Sequence, residues 1–207
     1  MQLNTIGKKF RREWIFRNLN YEIQAGQKLV ILGGNGSGKS TLLQVISGFI
    51  APNEGTLVYS LEKNVLAADS LHRHMAFASP YLQVIEDFTL LEMAHHVQTF
   101  KPFQKGITTG DFIELIQLPQ AKNKFIREFS SGMKQRLKLG LALLSDTPLL
   151  LLDEPLSNLD KAGIQWYTSM IESYTAQRTV IVCSNAISDE YFFCNTTLNV
   201  TDYKTRI

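Results

Sequence analysis

The sequence predicts an α/β fold: a core of alternating strands and helices, an antiparallel β subdomain at the start of the chain and an inserted α-helical subdomain in its middle. The apolar run Leu29-Val30-Ile31-Leu32 leads into the loop Gly33-Gly34-Asn35-Gly36-Ser37-Gly38-Lys39-Ser40, which opens onto an apolar-periodic stretch from Thr41 to Ile46, so strand, loop and helix follow in that order. Pro148 precedes the wholly apolar Leu149-Leu150-Leu151-Leu152, the pattern of a strand buried on both faces, which ends in Asp153-Glu154-Pro155. Between them, Leu90, Leu91, Met93, Ala94 and Val97 fall at helical spacing, and so do Phe112, Leu115 and Ile116.

In chain order, Met1 to Ile6, Ile15 to Ile23 and Thr56 to Tyr59 read as strands around the Lys28 to Leu32 strand, forming an antiparallel layer against it. The helix after the glycine loop ends near Gly48, and Asn53-Glu54-Gly55 reads as a tight turn. Pro102, Gly106 and Gly110 break the helical segment apart. A return of strand, helix and strand covers Leu149 to Leu152, Ala162 to Tyr174 and Thr179 to Cys183. With no repeat, low-complexity tract or long linker, residues 1–207 are expected to form one domain, with the helical subdomain at about 89–140.

At 207 residues the chain can bury one core plus a subdomain but not two full domains. A net charge of +2 gives no broad basic face, and the local cluster Lys8, Lys9, Arg11 and Arg12 reads as a solvated loop, so no nucleic-acid partner is expected. Cys183 and Cys194 lack metal-ligand spacing and read as reduced interior residues, which points to the cytoplasm. No signal-peptide pattern or apolar segment long enough to cross a bilayer is present, so any membrane role is expected to come through a partner.

The glycine loop carries the first chemistry. Its backbone can curl so that successive N–H groups from Gly33, Asn35, Gly36, Ser37, Gly38, Lys39, Ser40 and Thr41 surround one centre at a helix N-terminus, which suits phosphate. Lys39 is expected to reach β- and γ-phosphates, and Ser40 to place its hydroxyl on a Mg²⁺ that bridges them, so the expected ligands are a nucleoside triphosphate and Mg²⁺. Asp153, at the end of a buried strand, is the expected cation carboxylate, and Glu154 is placed to orient or deprotonate the attacking water.

The segment Phe129-Ser130-Ser131-Gly132-Met133-Lys134-Gln135-Arg136, followed by a helical pattern, resembles the Leu-Ser-Gly-Gly-Gln signature of the ABC-transporter ATPase family. Phe129, Ser131 and Met133 depart from that signature, whereas Ser130 and Gly132 are kept. The resemblance extends over nearly the whole chain and implies a P-loop NTPase core of the ABC ATPase type. It further implies that Ser130 and Gly132 touch a γ-phosphate bound by a second subunit, that Asp160 of Ser157-Asn158-Leu159-Asp160 ties the two nucleotide sites together, and that an aromatic, Phe10 or alternatively Trp14, stacks on adenine. Thr89 and Glu92 match the Thr and Glu that follow the family's Q-loop.

At two positions the chain departs from the family. Counting back from Thr89 puts Pro80 where the cation-contacting glutamine belongs, so either Gln83 replaces it through a reshaped loop or water fills the position. Asn185, after Val180 to Ser184, stands where the family has its switch histidine; asparagine donates an amide N–H but does not titrate. The resemblance implies an ATP-hydrolysing subunit with catalytic Glu154, Lys39 and Asn185. Such a subunit forms a homodimer or heterodimer with a second ATPase subunit and sits at the inner face of the membrane on a permease docked through the helical segment and residues 80–88. An ending at Ile207 leaves no room for a regulatory C-terminal domain, and compact exporters are among the members resembled. The alternatives are a soluble, non-transport ATPase acting in assembly or remodelling, and a catalytically weak regulatory half of a heterodimer.

Overall fold

A computed structural model describes residues 1–62 and 64–204; of Ala68 only the backbone is described. In chain order the elements are β1 (Gln2–Phe10), β2 (Glu13–Glu22), β3 (Lys28–Leu32), α1 (Lys39–Ile46), β4 (Glu54–Val58), β5 (Ser60–Leu61), β6 (Asn64–Val65), β7 (Met75–Ala78), α2 (Leu90–Phe100), α3 (Thr109–Leu115), α4 (Ser131–Leu143), β8 (Leu149–Asp153), α5 (Lys161–Tyr174), β9 (Thr179–Ser184), α6 (Ser188–Tyr191) and β10 (Thr196–Asn199).

Five strands form a parallel sheet in the order β10-β3-β9-β8-β7, and β2-β1-β4 form a separate antiparallel sheet. The central strands β8 and β9 are almost wholly apolar because both of their faces are covered. Leu150 and Leu152 of β8 and Val180 and Val182 of β9 face a core shared with α2, α3, α4 and α5. The intervening Leu151, Ile181 and Cys183 face a second core shared with β1, β2 and α1. Period-two alternation thus divides the interior into two layers about one sheet.

Local chemistry sets the helix ends. Thr89 and Glu92 form a reciprocal capping box at the start of α2, and Thr108 and Asp111 do the same for α3. At the far end of α4, the buried Arg178 donates to the carbonyls of Ala142, Leu143 and Thr147 and to the Thr147 hydroxyl. A guanidinium suits this place because its fixed fork of donors meets several of the carbonyls that a helix terminus leaves free. Burial lowers its pKa to about 10, so it remains charged at neutral pH.

The structure corrects two expectations. Asn53-Glu54-Gly55 is not a tight turn: β4 begins at Glu54, and Gly55, at φ 82°, lies where β1 and β4 shift register between Asn4 and Gly7. A Cβ at Gly55 would stand 2.3 Å from the Asn4 carbonyl oxygen, so the glycine answers to strand packing. Gly110 does not break a helix but sits in the first turn of α3, where intrahelical N–H bonds are not yet required. Both cysteines are free, Cys183 buried and Cys194 half-buried, and burial pushes both thiols up, Cys194 to about 12.

Candidate nucleotide site

Four adjacent parallel strands bring their C-terminal ends to one edge of the sheet. Register pairs Leu32 with Ser184, Asp153 with Cys183, and Ala78 with Leu152. The residues that leave these ends are therefore neighbours: the glycine loop after β3, Asn185 after β9, Glu154 after β8 and Ser79 after β7. This edge of an open α/β sheet is where ligand sites form.

The loop holds a cavity of about 260 Å³ lined by Ile15, Asn35, Gly36, Ser37, Gly38, Lys39, Ser40, Thr41, Tyr81 and Glu154. Gly38, the N-cap of α1, has φ 104°, and a Cβ there would lie 2.4 Å from Ile15 Cγ2; conformation and space both require glycine. The buried Ser37 hydroxyl has no hydrogen-bond partner among the described residues, an unmet polar group on the cavity wall.

Lys39 is buried, and its ammonium donates to the Gly33 carbonyl at 2.8 Å, the Gly34 carbonyl at 3.2 Å and Asn185 Oδ1. The Asn185 amide then donates from Nδ2 to Glu154 Oε1 at 2.7 Å. Asparagine serves here because one planar group presents an acceptor to the lysine and a donor to the glutamate. Glu154 is held at φ 42°, a left-handed conformation unfavourable to a residue with a Cβ, and it lines the cavity.

Asp153 is 3% exposed and receives a hydroxyl on each oxygen, from Ser40 to Oδ1 at 3.1 Å and from Ser79 to Oδ2 at 3.4 Å. Burial raises its pKa, and the neighbouring Glu154 charge adds to the rise. A buried carboxylate flanked by hydroxyls, with no ammonium or guanidinium bonded to it among the described residues, fits a hard divalent cation. Mg²⁺ in phosphoryl-transfer sites takes one or two carboxylates and completes its shell with waters and substrate oxygens.

Gln83 is not brought to Asp153. Leu82 N bonds back to the Ser79 carbonyl, and the resulting turn carries Gln83 onto a separate surface with Pro80, Glu86, Lys134 and Lys138. Phe10 is likewise outside the Lys39 cavity: it ends β1, is 49% exposed, and lies 5.3 Å beneath the Lys8 ammonium. Trp14 is flanked by Lys9 at 5.1 Å and Arg17 at 4.5 Å. Tyr81, which no sequence pattern singled out, does line the cavity and is 81% exposed.

Ser130 caps α4 by accepting from Met133 N at 3.2 Å, and Gly132 lies so near the Asn158 carbonyl that an added Cβ would stand 3.0 Å from its oxygen. Asp160 caps α5 through Gly163 N at 2.8 Å and lies 3.7 Å from Arg136. Ser130 and Asp160 are exposed, and neither they nor Gly132 line the Lys39 cavity.

The family model described as ABC transporter matches residues 16–157. The chain is 33% identical over 146 residues to the cytochrome c biogenesis ATP-binding export protein CcmA of Xylella fastidiosa, a match covering 70% of this chain and 65% of that relative's length. It is 26% identical to the lantibiotic transport ATP-binding protein SrtF of Streptococcus pyogenes, over 92% of this chain and 81% of SrtF. Among solved structures, the dimeric MJ0796, titled a bacterial ABC transporter cassette, superposes with TM-score 0.80 at 22% identity, over 97% of this chain and 94% of that one. Its post-hydrolysis form with ADP and Pi gives 0.78. At these identities the likeness shows the ABC cassette fold.

Proposed function

The chain belongs to the ABC transporter family, and on that premise we propose that it is the ATP-binding and ATP-hydrolysing subunit of an exporter-type system, driving a separate permease through nucleotide-dependent dimerisation. The observation that carries this reading is the meeting of Lys39, Ser40, Asp153, Glu154 and Asn185 at one sheet edge around the glycine loop.

Loop amides and Lys39 take the phosphates, the ammonium moving from the Gly33 and Gly34 carbonyls to phosphate oxygens. Ser40 and Asp153 would hold Mg²⁺, which when bound would supply positive charge to the phosphoryl transfer. Glu154 takes the proton of the attacking water, with Asn185 fixing the carboxylate's orientation; the products are ADP and phosphate. Ser130, Gly132 and Asp160 act on the nucleotide of a second ATPase subunit, and their position outside the Lys39 cavity is consistent with this. Phe10 or Trp14 remains the proposed adenine contact.

A cavity of about 520 Å³ lined by Leu82, Val84, Ile85, Val97 and Phe100, among others, supports docking of a permease element between the 79–88 loop and α2. No helix among the described residues is long and apolar enough to cross a membrane, consistent with a subunit held peripherally at the cytoplasmic face by its permease.

Steady-state ATP hydrolysis by the purified chain, measured across protein concentration beside Glu154→Gln, tests the proposal. Turnover per chain that rises with concentration and vanishes in the variant supports a composite dimeric site. Tight ATP binding without turnover would shift the reading to a regulatory half completed by a different subunit.

A further inference from the structure

We infer that Ser79 supplies the second hydroxyl of the cation site, holding a cation-bound water beside Asp153 in place of a glutamine side chain. This rests on the nucleotide reading proposed above. Ser79 is the first residue beyond β7, and the pairing of Ala78 with Leu152 sets it beside Asp153 at the sheet edge. Its side chain is 5% exposed, and Oγ lies 3.4 Å from Asp153 Oδ2, on the oxygen that Ser40 leaves free.

The hydroxyl can serve as donor or acceptor. It donates to the carboxylate in the ligand-free chain, and rotation about its C–O bond presents a lone pair once a cation neutralises Asp153. Tyr81 N, 3.4 Å away, donates to the same oxygen and fixes its position without using every lone pair. A serine is short, and Mg²⁺ keeps several waters, so a water-mediated contact matches the reach of this side chain. Gln83 is turned away toward Lys134 and Lys138.

Ser79 also begins a tethered segment. Lys138 on α4 donates to the Pro80 carbonyl at 2.6 Å, and Lys134, one turn earlier on that helix, pairs with Glu86 at 2.5 Å. These two contacts fasten the segment after Ser79 to the helix whose N-terminus carries Ser130 and Gly132.

Calorimetric titration of the full chain with ATP in EDTA, paired with Mn²⁺ binding to the ATP complex followed by electron paramagnetic resonance, tests the assignment without relying on turnover. Ser79→Ala is expected to weaken Mn²⁺ binding roughly tenfold, with ATP affinity in EDTA unchanged, and Ser79→Thr to restore it. Parental Mn²⁺ affinity in Ser79→Ala, or a loss found in Gln83→Ala instead, overturns the assignment. Absence of ATP binding by the unaltered chain in either medium overturns the nucleotide reading and this inference with it.

Discussion

Asn185 Nδ2 donates to Glu154 Oε1 at 2.7 Å while the same amide's oxygen accepts from Lys39, so one neutral side chain joins the proposed phosphate-binding ammonium to the proposed general base. A histidine in that position would titrate near neutrality; an amide does not. The pH profile of ATP hydrolysis is therefore expected to lack a limb due to residue 185. Asn185→His is expected to introduce one above the ordinary histidine value of about 6.5, with turnover rising as pH increases, because the imidazolium would pair with Glu154 and hold back its carboxylate. A variant profile superimposable on the parent's would refute the linkage.

Lys39→Ala removes the ammonium that faces the loop and is expected to lower ATP affinity by more than about 100-fold, since charge-assisted bonds to phosphate are the strong ones. Fluorescence titration with a labelled ATP analogue measures this. Unchanged affinity would contradict the phosphate role of Lys39.

Arg178→Ala strands the carbonyls of Ala142, Leu143 and Thr147 in a buried setting. Urea denaturation is expected to show a loss of about 3 kcal/mol or more, the range for breaking a buried charged network. A change below about 0.5 kcal/mol would mean that the α4 terminus is satisfied by other means.

Glu190 is 1% exposed; its Oε1 accepts from Leu156 N, whereas Oε2 has no partner among the described residues. Burial raises its pKa, so the folded chain holds this proton more tightly than the unfolded chain. Its ionised form thus opposes folding, and this penalty grows as pH rises from the ordinary glutamate value through the raised one. Glu190→Gln is expected to raise the ligand-free melting temperature at pH 7 and to leave it nearly unchanged below the ordinary glutamate pKa. An equal shift at both pH values would rule out ionisation as the cause.

The glycine loop, the buried β8 strand and Asp153-Glu154 were legible because each is written in consecutive residues: an apolar run, then the groups it delivers. The helical spacing around Leu90 and Phe112 likewise corresponds to α2 and α3. Ser79 was not legible, since a serine after a four-residue strand has no pattern, and only the β7–β8 register reveals its neighbour. Counting back from Thr89 is a register in sequence alone and offered Gln83 through a reshaped loop; the turn after Ser79 instead places Gln83 on a surface with Lys134 and Lys138. Thr89 and Glu92 matched family positions in sequence, and the structure gives them a local task as the cap of α2. Gly55 was misleading because a glycine that relieves a crowded strand looks, in sequence, like one that makes a turn.

The lysine folded back on its own loop has a thermodynamic consequence. The carbonyls of Gly33 and Gly34 and the Asn185 oxygen accept from the Lys39 ammonium, and on the nucleotide reading proposed above they are placeholders for phosphate oxygens. On that reading, binding is an exchange of one set of oxygen acceptors for another. On the same reading these stand-ins recapture the ammonium when phosphate leaves, which suits a loop that loads and discharges its ligand repeatedly and does not retain it.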